Sequence, residues 1–264
     1  MESVAAAAGD RKPEEVKSAA RVLEVLELLG ADGAKLSLAE LAGAMRVPKS
    51  SLHAVLRTME ARGWVDVDAR GTRYGLGLKA LMTGTAYLEG DDVVSIAGPV
   101  LDALAEETGE AVHLTRLSGA DVVHLAKRES RHALRMYTPV GHRVPAHATA
   151  PGKAMLAQFE PGEVDRRLSW PLARITPDTV TDPGELAAQL AEARLRGWAQ
   201  DDGESSPGVR GVAVALGTDE QGGDAISCSA PSSRMDDRRT EEVALAVTEA
   251  AHSLRTLLKR LGQH

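Results

Sequence analysis

Three features of the sequence together predict an α+β chain in two parts. Between Leu36 and Gly77, two short helical patterns separated by Arg46-Val47-Pro48 lead into two strand-like runs around an Asp-Ala-Arg-Gly turn. From Ala111 the apolar period changes from helical to two. The C-terminal stretch then carries a long apolar stripe at helical spacing. The first feature has the form of a winged helix-turn-helix, and the other two that of a curved antiparallel sheet flanked by helices.

Taken in order, residues 1–17 are alanine-rich and then charged, which predicts a disordered tail. Val22, Val25, Leu26 and Leu29 repeat helically over Ser18–Leu29, giving a helix that packs under the helix-turn-helix. Ser37 with Glu40 three residues on is a capping box opening Ser37–Met45. Pro48 cannot donate to a continuing helix and biases Val47 away from the helical region, so a second helix restarts near Pro48–Ser50. Its Leu52, Val55, Leu56 and Met59 form one apolar stripe, which leaves Lys49, Ser50, His53 and Arg57 on the opposite side. Gly63 ends it, and Trp64–Gly77 reads as a hairpin. Leu78–Leu88 is a linker helix whose Leu78, Leu81, Met82, Thr85 and Leu88 would meet a partner subunit. Asp91-Asp92 cap a further helix that runs to about Thr108 before Gly109.

Strands follow at Val112–Thr115 and Val123–Ala126 around Ser118-Gly119-Ala120, with a third suggested by Leu134 and Met136. Val140–Phe159 is expected to be a loop leading into a helix, and Glu163–Leu168 and Pro183–Arg196 to be helical. Val212–Leu216 and Ala225–Ala230 are the remaining strands, separated by a polar turn at Thr218–Gly223. Val243, Val247, Ala250, Leu254, Leu257 and Leu261 mark the buried stripe of the last helix.

With 264 residues, 43% hydrophobic and 26% charged, the chain supports a packed core. No apolar run approaches the ~20 residues of a membrane span, and the N-terminus lacks the pattern of a signal peptide. Cys228 is the single cysteine, so an intrachain disulfide is excluded; a cytoplasmic protein is expected. The net charge of −7 conceals an asymmetry: Gly43–Gly77 holds six basic and three acidic residues, +3, leaving −10 for the remainder. A basic head on an acidic body suits a protein that touches nucleic acid with one domain only.

Two groups of residues carry the functional expectation. In the head, Ser50 and Ser51 suit phosphate contacts, with Ser51 turned partly inward as the alternative. Lys49, His53 and Arg57 suit base edges or phosphates, and Arg70 and Arg73 flank Gly71 at a hairpin tip placed for phosphates or the minor groove. The competing interpretation is a helical dimerisation module with these side chains merely solvated; the basic hairpin tip has no use there. In the body, Ser227 and Ser229 share one face of a strand while Ile226 and Cys228 share the other. The loop Thr149-Ala150-Pro151-Gly152 opens a helix whose free N–H groups attract anions, although Pro151 removes one donor. Asp201 lies in a Gly/Pro-rich stretch, Gly197–Gly211, that could close over a ligand. Each piece alone also reads as a strand edge or a cap.

Enzyme signals fail. Gly152-Lys153 lacks the flanking glycine and Ser/Thr of a phosphate loop, no GxSxG is present, and Cys228 sits mid-strand. His113 and His124 on adjacent strands could face each other, but no carboxylate or thiolate completes a metal site, and no cofactor is implied.

The segments RVPKSSLHAVLRTMEARGWV, VGHRVPAHATAPGKAMLA, GWAQDDGESSPGVRGVAVAL and AISCSAPSSRM, in that order, resemble the IclR family of bacterial transcriptional regulators from Ser18 to Leu261. The resemblance implies a winged helix-turn-helix over 18–77, a linker helix over 78–91 and a GAF-like effector-binding domain over 92–264. It further implies homodimers, or dimers of dimers, on palindromic double-stranded operators. An effector pocket is implied at Ala150, Pro151, Asp201, Ser227 and Ser229, with Val209 and Gly211 also lining it. Two positions depart from the pattern: Gly203 stands where an acidic residue is common, and Gly211 where cysteine is frequent, leaving more room. The expectation is a ligand-responsive regulator, repressor before activator, of a catabolic operon, sensing a small polar metabolite such as an organic acid. The rival is a metabolite-binding protein or enzyme with a vestigial DNA-binding head.

Overall fold

The computed structural model describes residues 16–31, 33, 35–133, 138–218 and 223–260. The chain divides into two compact units between Tyr87 and Leu88.

The first unit contains helices α1 (Lys17–Ala31), α2 (Leu38–Ala44) and α3 (Lys49–Ala61) and strands β1 (Leu36–Ser37), β2 (Val65–Val67) and β3 (Arg73–Leu76). Ser37 accepts the Glu40 N–H at 3.2 Å while the Glu40 carboxylate accepts the Ser37 N–H at 2.7 Å, so the capping box opens α2 as expected. Arg46, at φ 52°, and Pro48, the N-cap of α3, turn the chain between the two helices. Leu52, Leu56 and Met59 of α3 then pack against Val25 and Leu29 of α1, Leu41 of α2, and Val65 and Tyr74 of the hairpin. β1 adds to the hairpin, giving the order β1-β3-β2. Two residues are too few to show a period, which is why the sequence suggested only two strands. Helix α4 (Leu78–Glu89) spans the division between units. Leu78, Leu81 and Met82 are exposed as the stripe predicts, but Leu88 instead packs on the apolar cluster of the second unit.

The second unit is a six-stranded antiparallel sheet, ordered β6-β5-β4-β9-β8-β7. Its strands are β4 (Ala111–Ser118), β5 (Asp121–Arg128), β6 (Arg143–Pro145), β7 (Ala199–Asp202), β8 (Val209–Thr218) and β9 (Gly223–Pro231). Register shifts at Leu114/Thr115 and Ala215/Gly217 mark bulges, which increase the twist of the curved sheet. One face carries Val112, Leu114, Val212, Val214, Ile226 and Cys228 under helices α5 (Asp92–Thr108) and α9 (Asp237–Arg260). The other carries smaller residues, including Ala213, Ala215 and Ala225, under α6 (Ala150–Leu156), α7 (Pro161–Arg167) and α8 (Pro183–Arg196). Asp91 caps α5 and Gly109, left-handed at φ 72°, ends it.

Several expectations need correction. Val140–Phe159 is not a plain loop, because Arg143–Pro145 pairs with Asp121–Val123 as the edge strand β6. Gly197–Gly211 is not wholly a lid: Ala199–Asp202 forms the opposite edge, β7, with Asp201 across from Gly211. Edge strands this short leave no alternating pattern to read. In α9 the buried stripe runs through Ala244, Ala246 and Ala251 beside Val243, Val247 and Leu254, while Leu257 is exposed. The suggested strand at Leu134 and Met136, Leu261, and all but the last two residues of the expected tail lie outside the described residues.

Candidate functional site

On the first unit, Lys49, Ser50, His53 and Arg57 all lie on the exposed side of α3, opposite the buried Leu52, Leu56 and Met59. Ser51 is half-buried, and its hydroxyl accepts from the Arg21 guanidinium at 2.7 Å, so it braces α3 against α1. In the hairpin, the Asp68 carboxylate accepts the N–H groups of Thr72 (2.7 Å) and Arg73 (3.0 Å), bonds that hold it below the usual carboxylate range. Gly71, at φ 70°, completes the turn, leaving Arg70 exposed at its tip. Arg73 is not at the tip. It begins β3, donates to the Lys35 carbonyl at 2.6 Å and sits 3.6 Å from Glu40, so its charge is partly neutralised within the fold.

The second unit contains a partly open cavity of about 460 Å3. Cross-strand register places Asp201 beside Gly211, Gly211 beside Ser229, and Ser227 beside His113, all on the face away from Ile226 and Cys228. Thr149, Ala150, Pro151 and Val209 complete the set of expected residues that line this cavity. Gly152 is the exception. A Cβ there would lie 2.1 Å from the Ala146 carbonyl oxygen, so the residue serves close packing of α6. Its N–H is taken by the Thr149 hydroxyl at 3.1 Å. With Pro151 lacking a donor and the Lys153 N–H bonded to the Thr149 carbonyl, the expected nest narrows to the Ala150 N–H. Gly211 keeps the wall open: the nearest atoms to a Cβ there would be the Ala150 Cβ at 3.6 Å, and the Cys228 carbonyl and the Ser229 Cβ, each at 3.8 Å, all ordinary van der Waals contacts.

Asp201 is held rather than free. Its Oδ1 accepts the Glu204 N–H at 2.8 Å and its Oδ2 the Ser205 hydroxyl at 2.6 Å. Burial nevertheless dominates and pushes its carboxyl up to about 6. Behind it lies a pair the sequence did not reveal: the Lys153 ammonium and the Glu204 carboxylate form an ion pair, with side chains 2% and 6% exposed. The Glu204 carbonyl also accepts from the Thr176 and Thr179 hydroxyls, tying the segment after β7 to the loop before α8.

His113 and His124 face each other as their adjacent strands suggested, but their place in the wall of this cavity was not read from the sequence. His113, His124 and His142 line the same cavity, with Thr138, Val144 and Ser206. The rings of His113 and His124 meet edge-on, centroids 4.9 Å apart. Burial pushes them down to about 4 and about 3, so both are neutral imidazoles. The available signal was their position on facing strands; what could not be read was that β9 pairs with β4 and brings the serines beside them. Among the described residues, no group of three His, Cys, Asp or Glu is arranged to hold a metal ion. Cys228 is buried, and burial pushes its thiol up to about 12, far from a nucleophile at neutral pH.

The two halves match two family descriptions in order: the IclR helix-turn-helix domain over residues 18–69 and the bacterial transcriptional regulator IclR C-terminal domain over residues 85–256. The chain belongs to the IclR family. It is 35% identical over 243 residues to the HTH-type transcriptional regulator BhcR of Paracoccus denitrificans, covering 90% of this chain and 86% of that one. It is 33% identical over 241 residues to the transcriptional repressor IclR of Escherichia coli, covering 90% and 88%. Among solved structures, an IclR homologue from Microbacterium hydrocarbonoxydans complexed with 4-hydroxybenzoate superposes with a TM-score of 0.77 at 27% identity, covering 92% and 99%. These relatives are transcriptional regulators rather than enzymes, so the α+β, winged-helix and DNA-binding readings stand and the enzyme alternative falls.

Proposed function

We propose that this IclR-family regulator grips operator DNA with α3 and uses the cavity of its second unit to sense a small polar metabolite. Lys49, Ser50, His53 and Arg57 would face the major groove, and Arg70 the flanking phosphates or minor groove. Ser51 and Arg73 would support that face from behind. A homodimer, or a dimer of dimers, would place two such helices on a palindromic site in a catabolic operon, acting in the cytoplasm and as a repressor. The observation that carries the DNA reading is the separation on α3 of a buried Leu52, Leu56 and Met59 from an exposed His53 and Arg57. For the effector, the cavity lined by Asp201, Ser227 and Ser229 supports an organic acid bearing a donor as well as an acceptor. The described lining includes no Lys or Arg, and Asp201 would repel a dianion. 4-Hydroxybenzoate, bound by the Microbacterium homologue, has this character. A ligand regulates DNA affinity only through unequal binding to two arrangements of the protein.

The test is fluorescence anisotropy of the full chain on DNA from its own promoter region, with salt varied. Wild type should bind with a steep negative slope against salt, and Arg57→Glu should lose specific binding while keeping its circular dichroism spectrum. Undiminished binding by Arg57→Glu would refute the assignment of α3.

A further inference from the structure

A second cavity, of about 320 Å3, is lined by α7, α8 and the end of α6, and it shares no lining residue with the larger one. Small-molecule sites run from about 300 to 1,000 Å3, so this one admits a compact ligand. It reaches down to the apolar core: of its lining residues, Leu156 is 0% exposed, Leu190 6% and Phe159 7%. The Trp170 ring also lines it and is 37% exposed, an aromatic surface open to an occupant. From α8 come Ala187 and Ala191, both exposed, whose small side chains leave the cavity accessible. α6 is common to both cavities: Ala150 and Pro151 at its start line the larger one and Leu156 at its end lines this one.

Two opposite charges stand in this otherwise apolar lining, Asp165 of α7 and Arg194 of α8. Their charged atoms are more than 4.0 Å apart, so they do not neutralise each other. Arg194 donates through Nε to the Ala157 carbonyl at 2.7 Å and through Nη2 to the Phe159 carbonyl at 2.5 Å. Those bonds fix the guanidinium but give its charge no carboxylate. Among the described residues Asp165 has no cationic or hydrogen-bonding partner. A purely anionic ligand would meet Arg194 and be repelled by Asp165, and a bare amine the reverse; a zwitterion answers both. We propose that this cavity is a second small-molecule site, which binds a free amino acid with an aromatic side chain. Its ammonium meets Asp165, its carboxylate meets Arg194, and its ring rests on the apolar floor beside Trp170.

The experiment is calorimetric titration of the full chain with L-phenylalanine, 3-phenylpropionate, which lacks the amine, and 2-phenylethylamine, which lacks the carboxylate. Wild type should bind L-phenylalanine about tenfold more tightly than either analogue, since each forgoes one charge-assisted contact. Asp165→Asn should weaken L-phenylalanine by about tenfold and bind 3-phenylpropionate no less tightly than wild type, because the repelling charge is gone. Ala191→Phe, at an exposed position, should melt like wild type and lose binding of all three by filling the cavity. Ser227→Ala/Ser229→Ala, which alters only the larger cavity, should bind L-phenylalanine like wild type. No binding at millimolar L-phenylalanine, or analogues that bind as tightly, would overturn the proposal. Undiminished binding by folded Ala191→Phe would overturn it too, and altered sedimentation of that variant would then make this face a contact between copies of the chain. Binding lost in the double serine variant but kept in Ala191→Phe would place the amino acid in the larger cavity instead.

Discussion

Replacing Lys153 by methionine isolates the interaction that holds the cavity wall together. The Lys153 side chain is 2% exposed and that of its partner Glu204 6%, so neither charge has an alternative partner in water. Methionine keeps most of the aliphatic stem and removes only the ammonium, leaving Glu204 as a buried carboxylate facing the Val180 N–H at 3.4 Å. Breaking one side of a buried pair costs about 3–5 kcal/mol. In a domain of this size that lowers the melting temperature by about 10–15 °C. Adding Glu204→Gln removes the orphaned charge and keeps an acceptor for Val180, so the double variant should recover about half the loss, about 2 kcal/mol, and be far more stable than the sum of the two single losses predicts. Urea denaturation followed by tryptophan fluorescence is the assay, since Trp170 and Trp198 lie in the second unit and Trp64 in the first. A Lys153→Met protein within 1 kcal/mol of wild type, or a double variant as unstable as the sum of its parts, would refute the view that this pair anchors the wall.

Other consequences follow from the same geometry. The Asp201 carboxyl, raised from 3.8 to about 6, holds its proton more tightly in the folded chain than in the unfolded one. Its contribution is therefore greatest below pH 4, declines as pH rises to about 6, and stays about 3 kcal/mol lower above that. Unfolding free energies of wild type and Asp201→Asn should accordingly diverge between pH 4 and 6.5, wild type losing ground; parallel curves would contradict the assignment. Gly152→Ala forces a Cβ against the Ala146 backbone and should cost about 3 kcal/mol, whereas Gly211→Ala, with 3.6 Å to its nearest neighbour, should melt like wild type while narrowing the cavity. Differential scanning fluorimetry of the two variants distinguishes these outcomes.

Local physics made the first unit largely legible. A capping box, a proline break and an apolar stripe each act within about one turn, so Ser37, Pro48 and Leu52–Met59 announce their roles without knowledge of distant neighbours. The same holds for the alternation that put Ser227 and Ser229 on one face, opposite Ile226 and Cys228. Arg73 and Ser51 were harder, because only folding brings the Lys35 carbonyl and Arg21 to them.

What the amino-acid order determined on its own was therefore the helices and the longer strands, though not the short strands β1, β6 and β7, together with the exposed face of α3 and eight of the nine residues expected around the cavity. Tertiary structure alone decided that β9 lies between β4 and β8, placing the histidines beside the serines, and that Lys153 is paired with Glu204. Strand order and buried ion pairs depend on contacts between residues far apart in the chain. Periodicity and capping, which act over a few residues, carry no information about them.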